Sequence, residues 1–421
     1  MDLIFAEATP PGRGGVSVIR LSGDGARSLA EALAGELPLA RHAYLRQLTH
    51  EGEALDQGLV IWFEAGASFT GEETVELHLH GAPVICRRVV SALSKFNARQ
   101  AEAGEFTRRA LLNGCMDLAE VEGLGDLLQA ETEEQRKLAA KTAGGELGRK
   151  AEAWRGLLIR AGALVESSVD FADEDVPDDV PEEVFALLAR LRDELSVEID
   201  GFPAAERVRT GFEVAIIGPP NAGKSSLLNR IASRDVALVS DIAGTTRDVI
   251  ELRIDLNGLA VTLLDTAGLR ESNDHVEVLG VEKARERAAL ADLRVHLSDD
   301  GSKDTMLWQS GDLLRRGKSD ILNDARTDAI SAKTGMGIDR LLQDIFDELR
   351  KRVVGAGIVS HERQAKALAE ARTELVGLDD LPPELIAERI RHAASRLDRM
   401  LGRIGAEEYL DVIFSSFCIG K

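Results

Sequence analysis

Gly218-Pro-Pro-Asn-Ala-Gly-Lys-Ser225 fits the pattern GxxxxGK[ST], and it lies between the apolar run Val214-Ala-Ile-Ile217 and the helix-like start Ser226-Leu-Leu. A glycine-rich loop between strand and helix commits this stretch to an α/β unit, because successive backbone N–H groups must curl around phosphate oxygens at the helix N-terminus. Lys224 then reaches the β- and γ-phosphates, and the Ser225 hydroxyl is placed for Mg²⁺. Asn221, Ala222, Gly223 and Ser226 fill out the same loop. The spacing predicts a nucleoside triphosphate site.

Further elements narrow the class. Asp265-Thr266-Ala267-Gly268 closes the apolar run Leu263-Leu264, with Asp265 expected near the Mg²⁺ shell and the Gly268 amide near the γ-phosphate. Between the two loops lies Gly244-Thr-Thr-Arg-Asp248, where Thr246 is a second hydroxyl ligand for Mg²⁺. This order is that of a GTPase. Guanine is usually read by Asn-Lys-x-Asp; here Gly317-Lys-Ser-Asp320 keeps Lys318 to cover the ring and Asp320 to accept from the base, but lacks the amide that ties base to phosphate loop. Ser331-Ala332-Lys333 supplies a second base-side loop, in which the Ala332 amide can donate to guanine O6. Leu269 stands where Ras-type GTPases place a glutamine and cannot hydrogen-bond, so the attacking water must be oriented from elsewhere. Glu282, in the polar stretch after it, is the candidate.

With 421 residues, 44% hydrophobic and 29% charged, the chain has room for two to four ordinary globular domains. It contains no run of 18 apolar residues and no basic-then-apolar N-terminal segment, so a cytoplasmic protein without a membrane partner is expected. Cys86, Cys115 and Cys418 are far apart and lack metal-ligand spacing, which argues against a disulfide framework or a zinc site. The net charge is −21, from 51 basic and 72 acidic residues, so a polyanionic substrate needs a segregated basic patch or a partner that holds it.

Periodicity divides the chain. Residues 1–118 mix alternating runs such as Val16–Arg20, Leu59–Phe63 and Val75–Leu79 with glycine turns, which predicts an α+β domain. A helical, alanine-rich pattern covers 119–209, the GTPase module occupies 210–349, and helical spacing resumes in 350–421 after Pro382-Pro383. The expected architecture is multidomain α+β and α/β, with a Ras-like P-loop module inserted into a discontinuous helical domain. The interval from Ala291 to Ala329 is short for such a module, and a strand or covering helix is expected to be trimmed.

Words in all three regions resemble one family, the MnmE (TrmE) tRNA uridine-modification GTPases. They are Ala8-Thr-Pro-Pro-Gly-Arg-Gly-Gly15, Phe69-Thr-Gly-Glu72 with His78-Leu-His-Gly81, Gly104-Glu-Phe-Thr107 with Asn113-Gly114 and Asp117-Leu118, the GTPase loops, and the terminus Phe417-Cys-Ile-Gly-Lys421. The resemblance implies a homodimer formed through an aminomethyltransferase-like N-terminal domain that binds 5-formyl- or methylene-tetrahydrofolate, with Arg20, Glu76 and Lys421 as folate-site residues. It implies joint action with the FAD-containing protein MnmG to place an aminomethyl or carboxymethylaminomethyl group on C5 of the wobble uridine of certain tRNAs. It implies a K⁺ bound by the Asn221 side chain and backbone oxygens around Ser240, Ile242 and Thr245, within the stretch that includes Asp241 and Ala243, and a water-orienting role for Glu282. Cys418 occupies the family's terminal cysteine position, and Cys115 replaces a family lysine. A ribosome-assembly GTPase and a folate-binding scaffold without catalysis are the rival expectations.

Overall fold

The computed structural model describes residues 2–170, 180–234, 236–238, 251–265, 285–322, 326–404, 413–414, 417 and 420, and the chain forms two compact units. The first comprises 1–125 and 395–421, the second 126–394.

The first unit is built on a six-stranded sheet. Its strands are β1 (Leu3–Glu7), β2 (Val16–Ser22), β3 (Tyr44–His50), β4 (Glu53–Phe63), β5 (Thr74–His80) and β6 (Ala98–Gln100), in the order β3-β4-β5-β2-β1-β6. All neighbours are antiparallel except β1 and β6. Period-two alternation sends Ile19, Leu21, Val75, Leu77 and Leu79 to one face, where they pack with α1 (Ala26–Ala34) and α2 (Pro83–Leu93). Arg20 and Glu76 therefore stay off that core. Ile4, Ala6 and Ala101 form a separate buried cluster with Phe106, which lies on α3 (Glu105–Leu112).

Three of the sequence words of this unit meet in space. The buried Arg109 guanidinium donates to Glu72 at 2.9 Å, Asp2 at 2.7 Å and Glu105 at 3.0 Å, and Asn113 Nδ2 donates to the Thr70 carbonyl at 2.7 Å. A buried guanidinium is tolerated only when its donors are satisfied in this way. Asp117 and Glu120 exchange backbone and side-chain bonds at the start of α4 (Leu118–Gln129), a reciprocal cap that fixes where the helical region begins. Phe414 and Phe417 pack with Leu118 and Val121.

In the second unit, α5 (Glu133–Ala143), α6 (Glu146–Asp170) and α7 (Glu182–Thr210) pack on one another, and α5 and α7 also meet the strand Leu259–Asp265 of a five-stranded sheet. Trp154, Leu158 and Val165 on α6 and Leu188, Leu191 and Leu195 on α7 recur at helical spacing and are buried. The helix α7 runs through Gly211 directly into β7 (Phe212–Ile217), which leads to α8 (Lys224–Ala232). The remaining strands are β8 (Glu251–Leu256), β9 (Leu259–Asp265), β10 (Leu293–Ser298) and β11 (Leu313–Arg316), in the order β11-β10-β7-β9-β8, parallel except for the β8–β9 hairpin. Next come α9 (Ser319–Leu322) and α10 (Ile338–Val353), after which the chain returns to the helices α11 (Glu362–Glu374) and α12 (Pro383–Met400). Arg209 Nε donates to the Ser360 carbonyl at 2.9 Å, so the entry to the sheet module and the exit from it are neighbours. At the hairpin tip, the Glu134 amide donates to the Gly258 carbonyl at 3.2 Å, and Arg253 pairs with Glu131 at 2.9 Å.

The short interval has a structural meaning. Residues 299–312, between β10 and β11, contain no α-helix, and among the described residues beyond β11 only an isolated bridge from Arg316 to Ala329 continues the sheet. A polar plug takes the place of the helix. Arg294, fully buried, bonds Asp312 at 2.9 Å, Gln309 at 2.8 Å and the carbonyls of Ala289 and Ala291 at 3.1 Å. The Asp304 amide donates to His296 Nδ1 at 3.2 Å, which leaves the ring proton on Nε2, facing Asp312 at 3.5 Å; the ring packs on Trp308 at 5.0 Å.

Two outcomes follow from this plug. Asp312→Ala strands the Arg294 charge and is expected to cost about 3–5 kcal/mol, read as a lower unfolding midpoint. Burial lowers the His296 pKa against the opposing pull of Asp312. The unfolded chain then binds a proton that the folded chain refuses, so stability is full above about pH 6.5 and falls as pH drops through the lower folded value. Denaturation midpoints measured from pH 7.5 to 5 should show that fall, and His296→Gln should flatten it.

Candidate functional site

The carboxyl ends of parallel strands are where open α/β sheets bind ligands, and the loops of the second unit converge there. A cavity of about 430 Å³ is lined by the phosphate loop from Pro220 to Leu227, by Leu297 at the end of β10, by Gly317, Lys318, Asp320 and Ile321 after β11, and by Ile330, Ala332 and Lys333. Asn221 to Ser226, which sequence spacing assigned to phosphate, thus share one cavity with Lys318, Asp320, Ala332 and Lys333, assigned to the base.

The loop's conformation follows from its residues. Gly218 lies so close to the Leu297 carbonyl oxygen that any Cβ would collide with it. Asn221 adopts φ 62°, a region that asparagine tolerates better than most residues, and Gly223 at φ 93° turns the chain into α8. The first amides of α8 are thereby aimed into the cavity. Lys224 is buried, and its Nζ donates to the carbonyls of Gly218 at 2.7 Å and Pro219 at 3.0 Å, so the ammonium is held over the loop in which phosphate would sit.

Ser225 Oγ donates to Asp265 Oδ2 at 2.7 Å. Hydroxyl and carboxylate oxygens side by side suit a hard cation such as Mg²⁺, which keeps waters and takes its other ligands from phosphates. Among the described residues no group of three His, Cys, Asp or Glu side chains could hold a metal without such help.

On the base side, Asp320 Oδ1 accepts from Ser331 Oγ at 2.7 Å, which orients the carboxylate and joins the two base-side loops. Ser331 is fully buried, and its own Oγ accepts from the Thr334 amide at 3.1 Å. Lys318, at φ 55°, pairs with Asp299 at 2.7 Å. Gly317 gives the absence of the usual asparagine a physical basis: a Cβ there would stand 3.0 Å from the Ala222 carbonyl, so the base-side segment runs against the phosphate loop by backbone approach. Sequence reasoning missed Leu297, Ile321 and Ile330, the apolar walls, and Asp299, the partner of Lys318. The apolar run ending at Leu297 marked only a strand; its place beside the phosphate loop depends on the pairing of β10 with β7.

Ser240, Asp241, Ile242, Ala243, Gly244, Thr245, Thr246, Thr266, Ala267, Gly268 and Glu282 lie outside the described residues, as do Cys418 and Lys421.

In the first unit, Arg20 and Glu76 are register partners on β2 and β5. Arg20 Nη2 lies 2.9 Å from Glu76 Oε1, His78 Nε2 lies 3.2 Å from Glu76 Oε2, and the rings of Phe69 and Phe106 stand 5.7 and 5.8 Å from the guanidinium. The guanidinium is thus held by a carboxylate and by two rings at cation–π distance, of which Phe106 is fully buried. Gly420 adjoins Glu7 and Ala8, and Cys115 approaches Gly71.

Lys224→Ala is expected to lower triphosphate hydrolysis at least 100-fold, measured as phosphate release. Asp320→Ala should weaken GTP binding at least tenfold while leaving the weak binding of ATP unchanged, read by competition titration.

Two family models match the chain: the GTP-binding protein TrmE N-terminus over residues 3–115 and the MnmE helical domain over 118–418. The tRNA modification GTPase MnmE of Paracoccus denitrificans is 59% identical over 421 residues, and that of Dinoroseobacter shibae is 50% identical over 430, each alignment covering all of both chains. The protein of the same name from Ruegeria pomeroyi is 52% identical over 431 residues, again end to end. No helix among the described residues is long and apolar enough to cross a membrane. With the matched models and full-length relatives in agreement, the chain belongs to the MnmE family.

Proposed function

We propose that the chain is a GTP-hydrolysing tRNA modification protein that acts with the FAD-containing partner MnmG to add an aminomethyl or carboxymethylaminomethyl group at C5 of the wobble uridine. The observation that carries this reading is the single cavity in which Lys224 and Ser225 meet Asp320 and Ala332, in a chain 59% identical over its whole length to a tRNA modification GTPase.

The chain's own groups divide the work of hydrolysis. Lys224 neutralises the β- and γ-phosphates, the first amides of α8 hold their oxygens, and Asp320 with the Ala332 amide selects guanine. Mg²⁺, when bound through Ser225 and Thr246, supplies charge to the leaving phosphate. K⁺, when bound by Asn221 and the backbone of Ser240, Ile242 and Thr245, supplies the charge that an arginine finger supplies elsewhere. Glu282 orients the attacking water, and because Leu269 cannot, hydrolysis depends on a closure that brings Glu282 in; dimerisation of the GTPase module provides it.

In the first unit, Arg20 and Glu76, with Lys421, hold 5-formyl- or methylene-tetrahydrofolate, and the Phe69 and Phe106 rings lie against the Arg20 guanidinium. Tetrahydrofolate, when bound, supplies the one-carbon unit. Cys418 belongs to the same tail, and its thiol is the nearest nucleophile in sequence to that terminus. We assign this division of labour to the domains 1–118, 119–209, 210–349 and 350–421.

GTP turnover should be at least tenfold faster in KCl than in NaCl, and wobble uridines from a deletion strain should lack the C5 group by mass spectrometry. Equal rates in the two salts, with tetrahydrofolate still bound, would leave a folate-binding scaffold; intact wobble modification would remove the tRNA reading altogether.

A further inference from the structure

A chain with net charge −21 has to present cations somewhere if it is to hold a polyanion. One cleft of the second unit, about 730 Å³ and outside the nucleotide cavity, reverses the balance of the whole chain: four cations and one carboxylate line it, against 51 and 72 overall. The cations are Arg136, Lys137 and Lys141 on α5 and Arg350 on α10. We propose that this cleft takes the sugar-phosphate backbone of the tRNA, an inference that rests on the tRNA reading above and gives its substrate a place on this chain.

The arrangement fits a backbone phosphate with a sugar or base attached. Lys137 and Lys141 are one helical turn apart on an exposed face of α5, so both ammonium groups can reach one phosphate or two successive ones. Arg136 and Lys137 pair with Glu133 and Glu134 at 2.7 and 2.8 Å, but all four side chains are exposed, and such pairs hold weakly enough for a phosphate to compete. Among the described residues no carboxylate pairs with Lys141 or Arg350. The only carboxylate in the lining, Glu134, is the one engaged by Lys137. Phe346 forms part of the wall, with the Arg350 guanidinium 6.0 Å from its ring centre. A cationic rim over an aromatic and aliphatic wall is the combination that tracks a strand by charge and stacks what is attached to it. Cations at the end of α10 also suit the helix dipole, yet that accounts for Arg350 and not for the three on α5.

The test is tRNA binding by the full chain carrying Lys141→Ala and Arg350→Ala together, followed by fluorescence anisotropy of labelled tRNA from about 50 to about 200 mM salt. Affinity should fall about tenfold and the slope of log K against log salt should shrink by about 2, with GTP turnover in the absence of tRNA unchanged. Arg87→Ala, an exposed cation on α2, is expected to leave tRNA binding unchanged. Wild-type affinity and slope in the double variant would overturn the proposal, as would an equal loss from Arg87→Ala or a loss of GTP binding in place of tRNA binding. A wild-type chain that binds no tRNA, together with intact wobble uridines in the deletion strain, would instead overturn the tRNA reading and the cleft with it.

Discussion

The close approach of backbone to backbone at Gly218 is the constraint from which the nucleotide site follows. The phosphate loop leaves β7 hard against the Leu297 carbonyl of β10, where no side chain could stand. From that point the chain turns through Asn221 and Gly223 into α8, and Lys224 folds over the loop it belongs to. The same economy of atoms recurs on the base side, where Gly317 lies against Ala222. Two glycines thus bring the phosphate loop close to β10 and to the segment after β11. The family membership then explains why the two parts occur in a chain that also carries an N-terminal sheet unit.

Legibility in the sequence followed the range of the interactions. The alternation in Val16–Arg20, Leu59–Phe63 and Val75–Leu79 described strands that exist, because period-two patterning is a local property of a half-buried strand. Lys224, Ser225, Asp265 and Asp320 were readable because a loop that binds phosphate or base leaves few choices of residue. Leu297, Ile330 and Asp299 were not readable, because their relevance comes from strand order, which a single sequence does not state. The compact interval between β10 and β11 was visible as a shortage of residues. Its resolution, an Arg294–Asp312 pair with His296 and Trp308 in place of a helix, was not, since a buried ion pair has no local signature.

The N-terminal words behaved in the same way. Phe69–Glu72, Gly104–Thr107 and Asn113 are far apart in sequence, and only the structure shows that Arg109 and Asn113 tie them together. Glu72 and Glu105 pair the buried Arg109 guanidinium, and Arg20 and Glu76 lie on paired strands of the same sheet. A family pattern here is first of all a hydrogen-bond network, and the ligand chemistry proposed for it is built on that frame.

The β8–β9 hairpin has a mechanical consequence. Its two strands border in sequence the segments 239–250 and 266–284, which carry Thr246, Gly268 and Glu282; its tip meets Glu134 of α5 through Gly258, and Arg253 within β8 pairs with Glu131 just ahead of α5. One stiff ribbon therefore serves both segments. A shift of either strand therefore has to carry with it, or break, the Gly258–Glu134 and Arg253–Glu131 contacts that join the sheet to the helical region.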